Sequence, residues 1–89
     1  WNAVMEIWEN AALAGYKPKD AMEYTPFIEA FAMSSNWDKA LELTSQSYKI
    51  SKEYTRQPLC SLWNRISNHS SDPDSQTNVT NARKTLMCP

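Results

Sequence analysis

The segment Trp1-Asn2-Ala3-Val4-Met5-Glu6-Ile7 returns 36 residues later as Trp37-Asp38-Lys39-Ala40-Leu41-Glu42-Leu43. Tryptophan meets tryptophan, Asn meets Asp, Glu meets Glu, and the apolar positions keep their character. A repeat at this period marks a unit that cannot bury its apolar face alone and stacks on its neighbours. Both copies also have helical spacing. Trp37, Ala40, Leu41 and Thr44 fall at i, i+3, i+4 and i+7, one face of a helix, and Trp1, Val4, Met5 and Trp8 do the same. A single glycine in 89 residues points the same way, because all-β chains need glycine at many tight turns.

Capping signals divide the chain into elements. Asn36 suits an N-cap ahead of Trp37, with Asp38 in the first turn where the helix dipole favours negative charge. The first copy is expected to end near Ala14, with Gly15 left-handed after it and Pro18 beyond. Between the copies, Thr25-Pro26 reads as an N-cap followed by proline at the first helical position, and Phe27, Ile28, Phe31 and Ala32 form an apolar face. Ser34-Ser35-Asn36 is a short turn. A fourth helix is expected from about Pro58 to Ser67, with Leu59, Leu62, Trp63 and Ile66 on its apolar side. A polar loop follows over Asn68 to Gln76, then a weaker helix spaced by Val79, Ala82 and Leu86. The expected fold is all-α, built of tandem antiparallel helix–turn–helix repeats, a fragment of a right-handed α-solenoid. Residues 1–20 read as the second helix and closing loop of a truncated repeat. Residues 21–55 read as a complete repeat, and 56–89 as a degenerate or terminal unit with its polar loop at 68–76. The start at Trp1, already inside a helical pattern, is expected to reflect a piece of a longer chain whose neighbouring repeats cover its apolar surface.

Composition narrows the function classes. Net charge is −1, unevenly spread. Residues 1–44 hold three lysines against seven acids, a balance of −4, whereas 45–89 hold six basic residues against three acids, a balance of +3. A polyanion would meet the second half more comfortably. Cys60 and Cys88 are too few for a disulfide scaffold and His69 alone is too little for a metal cluster. Two free thiols in a reducing compartment are the expectation, a single bridge between them the alternative. No run of about 18 apolar residues exists to span a membrane. Glu6, Glu9 and Glu29 lack any accompanying nucleophile or oxyanion donor, so no catalytic residues, cofactor or metal are expected and the chain does not read as an enzyme. Asn68-His69-Ser70 and Asn78-Val79-Thr80 match the glycosylation acceptor pattern, a match that a chain rich in Asn, Ser and Thr carries by chance. Trp1, Trp8, Trp37 and Trp63 are expected mainly as core, with base stacking as the alternative.

The run from Tyr24 to Leu43 resembles the pentatricopeptide repeat (PPR) family. Tyr24, Phe27 and Ile28 match the family's Tyr-Asn-x-Leu-Ile opening, and Trp37, Asp38, Ala40, Leu41, Glu42 and Leu43 match its second helix without a gap. Gly15-Tyr16-Lys17-Pro18-Lys19-Asp20 is similar to the Gly-x-x-Pro-Asp close of a unit, lengthened by one residue. The tetratricopeptide family shares the hairpin, but the Lys-Pro ending and the period of 36 favour PPR. Two departures stand out: Ser35 replaces the usual glycine of the turn, and Tyr54-Thr55 replaces Pro-Asp at the close of the central unit. The resemblance implies single-stranded RNA as partner, bound at about one base per repeat, in mitochondrial gene expression. It places the base-facing position on Thr25, its second position on Thr55 or Tyr54, and the residue sandwiching the base on Met22. Lys49, Lys52, Arg56 and Arg65 are candidate phosphate contacts beside them, with Lys49 and Lys52 sharing a helix face. A helical-repeat scaffold or assembly factor that binds protein is the alternative function.

Overall fold

The computed structural model describes residues 1–88. It is all-α, with five helices: α1 Asn2–Leu13, α2 Ala21–Met33, α3 Trp37–Ile50, α4 Lys52–His69 and α5 Pro73–Leu86. Helices α2 and α3, joined by three residues, lie along one another as a hairpin, and α4 and α5 form a second. The hairpins meet through α2 against α4 and through α3 against both α4 and α5, whereas α1 rests on α2 alone.

Three helix ends close in the same way. After α1, Tyr16 N–H donates to Ala11 and Gly15 N–H to Ala12, with Gly15 at φ 86°. After α2, Asn36 N–H donates to Phe31 and Ser35 N–H to Ala32. After α5, Cys88 N–H donates to Arg83 and Met87 N–H to Lys84. Each is a Schellman closure, which needs one left-handed residue. Ser35 (φ 62°) and Met87 (φ 56°) supply it without glycine's freedom. Gly15 falls where the sequence placed it.

Both internal prolines lie deeper than expected. α2 begins at Ala21, not Pro26, because Asp20 caps it and the Glu23 carboxylate reaches back to accept from the backbone N–H of Lys19 at 3.0 Å and of Asp20 at 3.5 Å. α4 begins at Lys52, not Pro58. Ser51 ends α3 and also caps α4, its Oγ accepting from Tyr54 N–H at 3.3 Å. Tyr54 and Thr55, read above as the close of the central unit, therefore lie in the first turn of α4. The polar loop shrinks to residues 70–72, because Asp72 caps α5 through Ser75 N–H and Pro73 opens it. Gln76 staples this turn, donating to the carbonyls of Ser67 and Ser70 at 2.7 and 2.6 Å.

The core runs the length of the four-helix body: Tyr24, Ile28 and Phe31 from α2, Trp37, Ala40 and Leu43 from α3, Leu59, Leu62, Trp63 and Ile66 from α4, and Val79, Ala82 and Leu86 from α5. Trp37 and Trp63 pack with tilted rings at 5.7 Å between centroids, and Trp8 meets Tyr24 at 5.8 Å and Phe27 at 5.0 Å. The Trp37 indole N–H donates to Ser75 Oγ at 3.4 Å, and that hydroxyl donates to the Asp72 cap at 3.0 Å, so α3 reads the N-terminus of α5 directly. Trp1 behaves differently from its counterpart Trp37. It is 53% exposed.

A period of 36 also separates the starts of α3 and α5, each preceded by a polar cap, Asn36 or Asp72. In the first helices of the two hairpins, Tyr24, Ile28 and Phe31 correspond in order and spacing to Thr55, Leu59 and Leu62, all buried.

The cysteines are bridged, which corrects the expectation of free thiols. Cys60 of α4 and Cys88 beyond α5 form a disulfide across the second hairpin. Folding α5 back along α4 brings the two residues together, with Cα atoms 5.7 Å apart despite 28 residues of separation.

Candidate nucleic-acid interface

One buried hydroxyl organises the end of the molecule where the candidate residues gather. Ser47 of α3 donates to the Ala21 carbonyl at 3.2 Å and lies 2.7 Å from Thr55 Oγ1. With the Ser47 proton given to Ala21, the Thr55 hydroxyl donates to Ser47, and every proton has an acceptor. This joint ties the first turn of α2 to the first turn of α4. It brings Met22, next to Ala21, and Tyr54, next to Thr55, to the same end of the two hairpins.

Thr55 is thereby removed from the candidate set. It is 0% exposed and its hydroxyl is engaged, so it cannot meet a base. The cause is the early start of α4, which turns this position into the core stripe. Met22 and Tyr54 are exposed at 63% and 58%, and Thr25 is half-buried one helical turn from Met22, on the same side of α2. Lys49, in the last turn of α3, is exposed. Lys52 is exposed and its ammonium sits 5.9 Å from the Tyr48 ring centroid, within cation–π range.

Arg56 takes on a role the sequence reading did not see. It follows the buried Thr55 as Thr25 follows the buried Tyr24, so Arg56 and Thr25 hold the same position on adjacent first helices. Its guanidinium Nη2 donates to the Met87 carbonyl at 3.1 Å. The signal was present in the spacing of Thr55, Leu59, Leu62 and Ile66, a stripe that extends α4 upstream of its proline. A groove of about 690 Å³ opens on this face of α4, lined by Lys52, Arg56, Gln57, Cys60 and Asn64 among others. Arg65 is drawn away from the strip by an ion pair with Glu29 at 3.1 Å.

Three of the four tryptophans, Trp8, Trp37 and Trp63, are buried, so they are not stacking platforms for bases. Burial raises the pKa of the Tyr24 phenol, with a smaller contribution from Tyr16. Among the described residues no group of three or more His, Cys, Asp or Glu is placed to hold a metal ion, and no helix is long and apolar enough to cross a membrane. No family model, curated protein or solved structure matches this chain.

Proposed function

We propose that the chain binds single-stranded RNA as part of a PPR-type protein in mitochondrial gene expression. The two hairpins would then be consecutive units of a right-handed α-solenoid, with neighbouring repeats continuing the stack beyond α1. The observation that carries the reading is the Ser47 joint. It brings the first turns of α2 and α4 together, where the matching buried stripes give Thr25 and Arg56 equivalent positions, with exposed Met22 and Tyr54 next to the joined residues and exposed Lys49 and Lys52 in the adjoining turns. Unstacked bases suit such a surface: an apolar or aromatic side chain lies against the ring, a polar one meets its edge, and cations hold the backbone. The PPR resemblance of Tyr24 to Leu43 supplies the family and the compartment.

The test is binding of a short labelled RNA. Thr25→Ala is expected to weaken binding while leaving the helical circular dichroism signal intact. Unchanged affinity refutes the assignment of Thr25.

A second reading is favoured by α1, where Ile7 is 59% and Leu13 is 88% exposed on a helix that, among the described elements, packs against α2 alone. A helical-repeat scaffold could hold a partner protein's apolar helix there. Salt separates the two: phosphate contacts predict a steep loss of affinity as salt rises, an apolar groove predicts little change.

A further inference from the structure

We propose that the Cys60–Cys88 bridge is a redox-sensitive latch that withholds Arg56 from the RNA-binding face. The inference rests on the RNA reading of that face and concerns its control. Arg56 and Cys60 are one helical turn apart on α4 and share a side of the helix. Both are tied to consecutive residues of a single turn: Arg56 to the Met87 carbonyl at 3.1 Å, Cys60 to Cys88 through the disulfide. That turn places Met87, a side-chain-bearing residue, in the left-handed region at φ 56°, which disfavours it in a free chain. Among the described residues, backbone hydrogen bonds also run from the turn, Met87 N–H to the Lys84 carbonyl at 3.1 Å and Cys88 N–H to the Arg83 carbonyl at 3.0 Å.

Cleaving the bridge removes the covalent hold. The turn relaxes away from left-handed Met87, its carbonyl leaves, and the guanidinium is free to take a phosphate with its bidentate fork. Neither cysteine is fully buried, and Cys60 lines the open groove beside Arg56, so a thiolate reductant reaches the sulfur from solvent. The chemistry is thiol–disulfide exchange with a dithiol. The S–S bond breaks and two S–H bonds form on Cys60 and Cys88. The dithiol gives up two electrons and two protons and closes to its own disulfide. In a reducing compartment a disulfide that does form is usually transient and redox-sensing, which is the behaviour the latch requires.

The experiment titrates a fluorescein-labelled oligouridylate with the whole chain, oxidised or reduced by dithiothreitol, across a salt series, with helical content followed by circular dichroism. Reduction is expected to steepen the slope of log affinity against log salt by about 0.7, the value of one phosphate contact on a single strand, or about fivefold tighter binding at about 0.1 M salt. Arg56→Gln is expected to erase the difference between the two states. The double variant Cys60→Ser/Cys88→Ser is expected to bind like the reduced chain without any reductant. Equal affinity and slope in both states overturn the latch and leave RNA binding standing. Weaker binding on reduction overturns it as well. No binding in either state overturns the latch and the RNA reading together.

Discussion

Removing the Cys60–Cys88 bridge has a cost that can be worked out from its position in the chain. The bridge closes a loop of 28 residues in the unfolded state. In the chain-entropy account this removes roughly 12 cal/mol/K from the denatured ensemble, or about 3.6 kcal/mol at room temperature. A domain of this size has an unfolding entropy of about 0.19 kcal/mol/K near its midpoint, so reduction should lower Tm by roughly 15–25 °C. Total stability on the order of 4–13 kcal/mol leaves most such domains folded when reduced, so the loss registers as a shift and not as collapse. The assay is thermal unfolding by circular dichroism with and without dithiothreitol, with Cys60→Ser/Cys88→Ser as the reductant-free comparison. Thiol titration of the untreated chain runs alongside. Two reactive thiols before reduction would contradict the bridge itself. A verified bridge whose loss moves Tm by less than about 4 °C, equivalent to under 1 kcal/mol, would refute the loop-closure reasoning.

Other consequences follow from single residues. Ser35→Gly relieves a left-handed serine but adds unfolded-state freedom, so a net gain of about 0.5–1 kcal/mol is expected in denaturant unfolding, and a loss of stability would show that the turn is not left-handed in solution. Ser47→Ala leaves the buried Thr55 hydroxyl without its acceptor and should cost about 1–3 kcal/mol. Adding Thr55→Val should recover part of that, and a double variant as weak as the sum of the singles would refute the pairing. Tyr24 holds its proton more tightly folded than unfolded, so its contribution is fully present below pH 10.0 and fades as pH rises through the higher folded value. Urea midpoints measured at alkaline pH should therefore fall in the native chain and fall less in Tyr24→Phe. Equal alkaline slopes in the two chains would remove Tyr24 as the cause.

The helical class, the order of the elements and most of the core were legible in the sequence, because apolar spacing at 3.6 residues is a local property. Trp37, Ala40, Ile28, Leu62 and Val79 are buried where the pattern put them. Helix starts were read less well. Pro26 and Pro58 drew the expected starts to themselves because proline favours the first turn. The competing signals were local too: Asp20-Ala21-Met22-Glu23 is a capping box, and Ser51 stands ahead of a polar first turn. Thr55 was misplaced for the same reason, since moving the start of α4 upstream rotates that residue into the core. The bridge was of another kind. Whether residues 28 apart can bond depends on how α5 folds back along α4, and that register is set by Trp37, Ser75 and Asp72 across two hairpins. In the candidate site, Met22 and Thr25 were named from the family resemblance and Arg56 only as a cation, because its equivalence to Thr25 needs the stripe of Thr55, Leu59, Leu62 and Ile66 to be read upstream of Pro58.

The joints between helices differ in stiffness. Between α3 and α4 stands one residue, Ser51, which ends one helix and caps the next, whereas the stretch from Ala14 to Asp20 separates α1 from α2. A one-residue joint has no slack: an insertion there would turn α4 by about 100° about its axis and point its buried stripe at water. The longer joint tolerates added length at little entropic cost. Under tension along the chain, α1 should peel from α2 at low force while the two hairpins resist as one plate. Natural or designed length variation should accordingly collect before Ala21 and be excluded at Ser51.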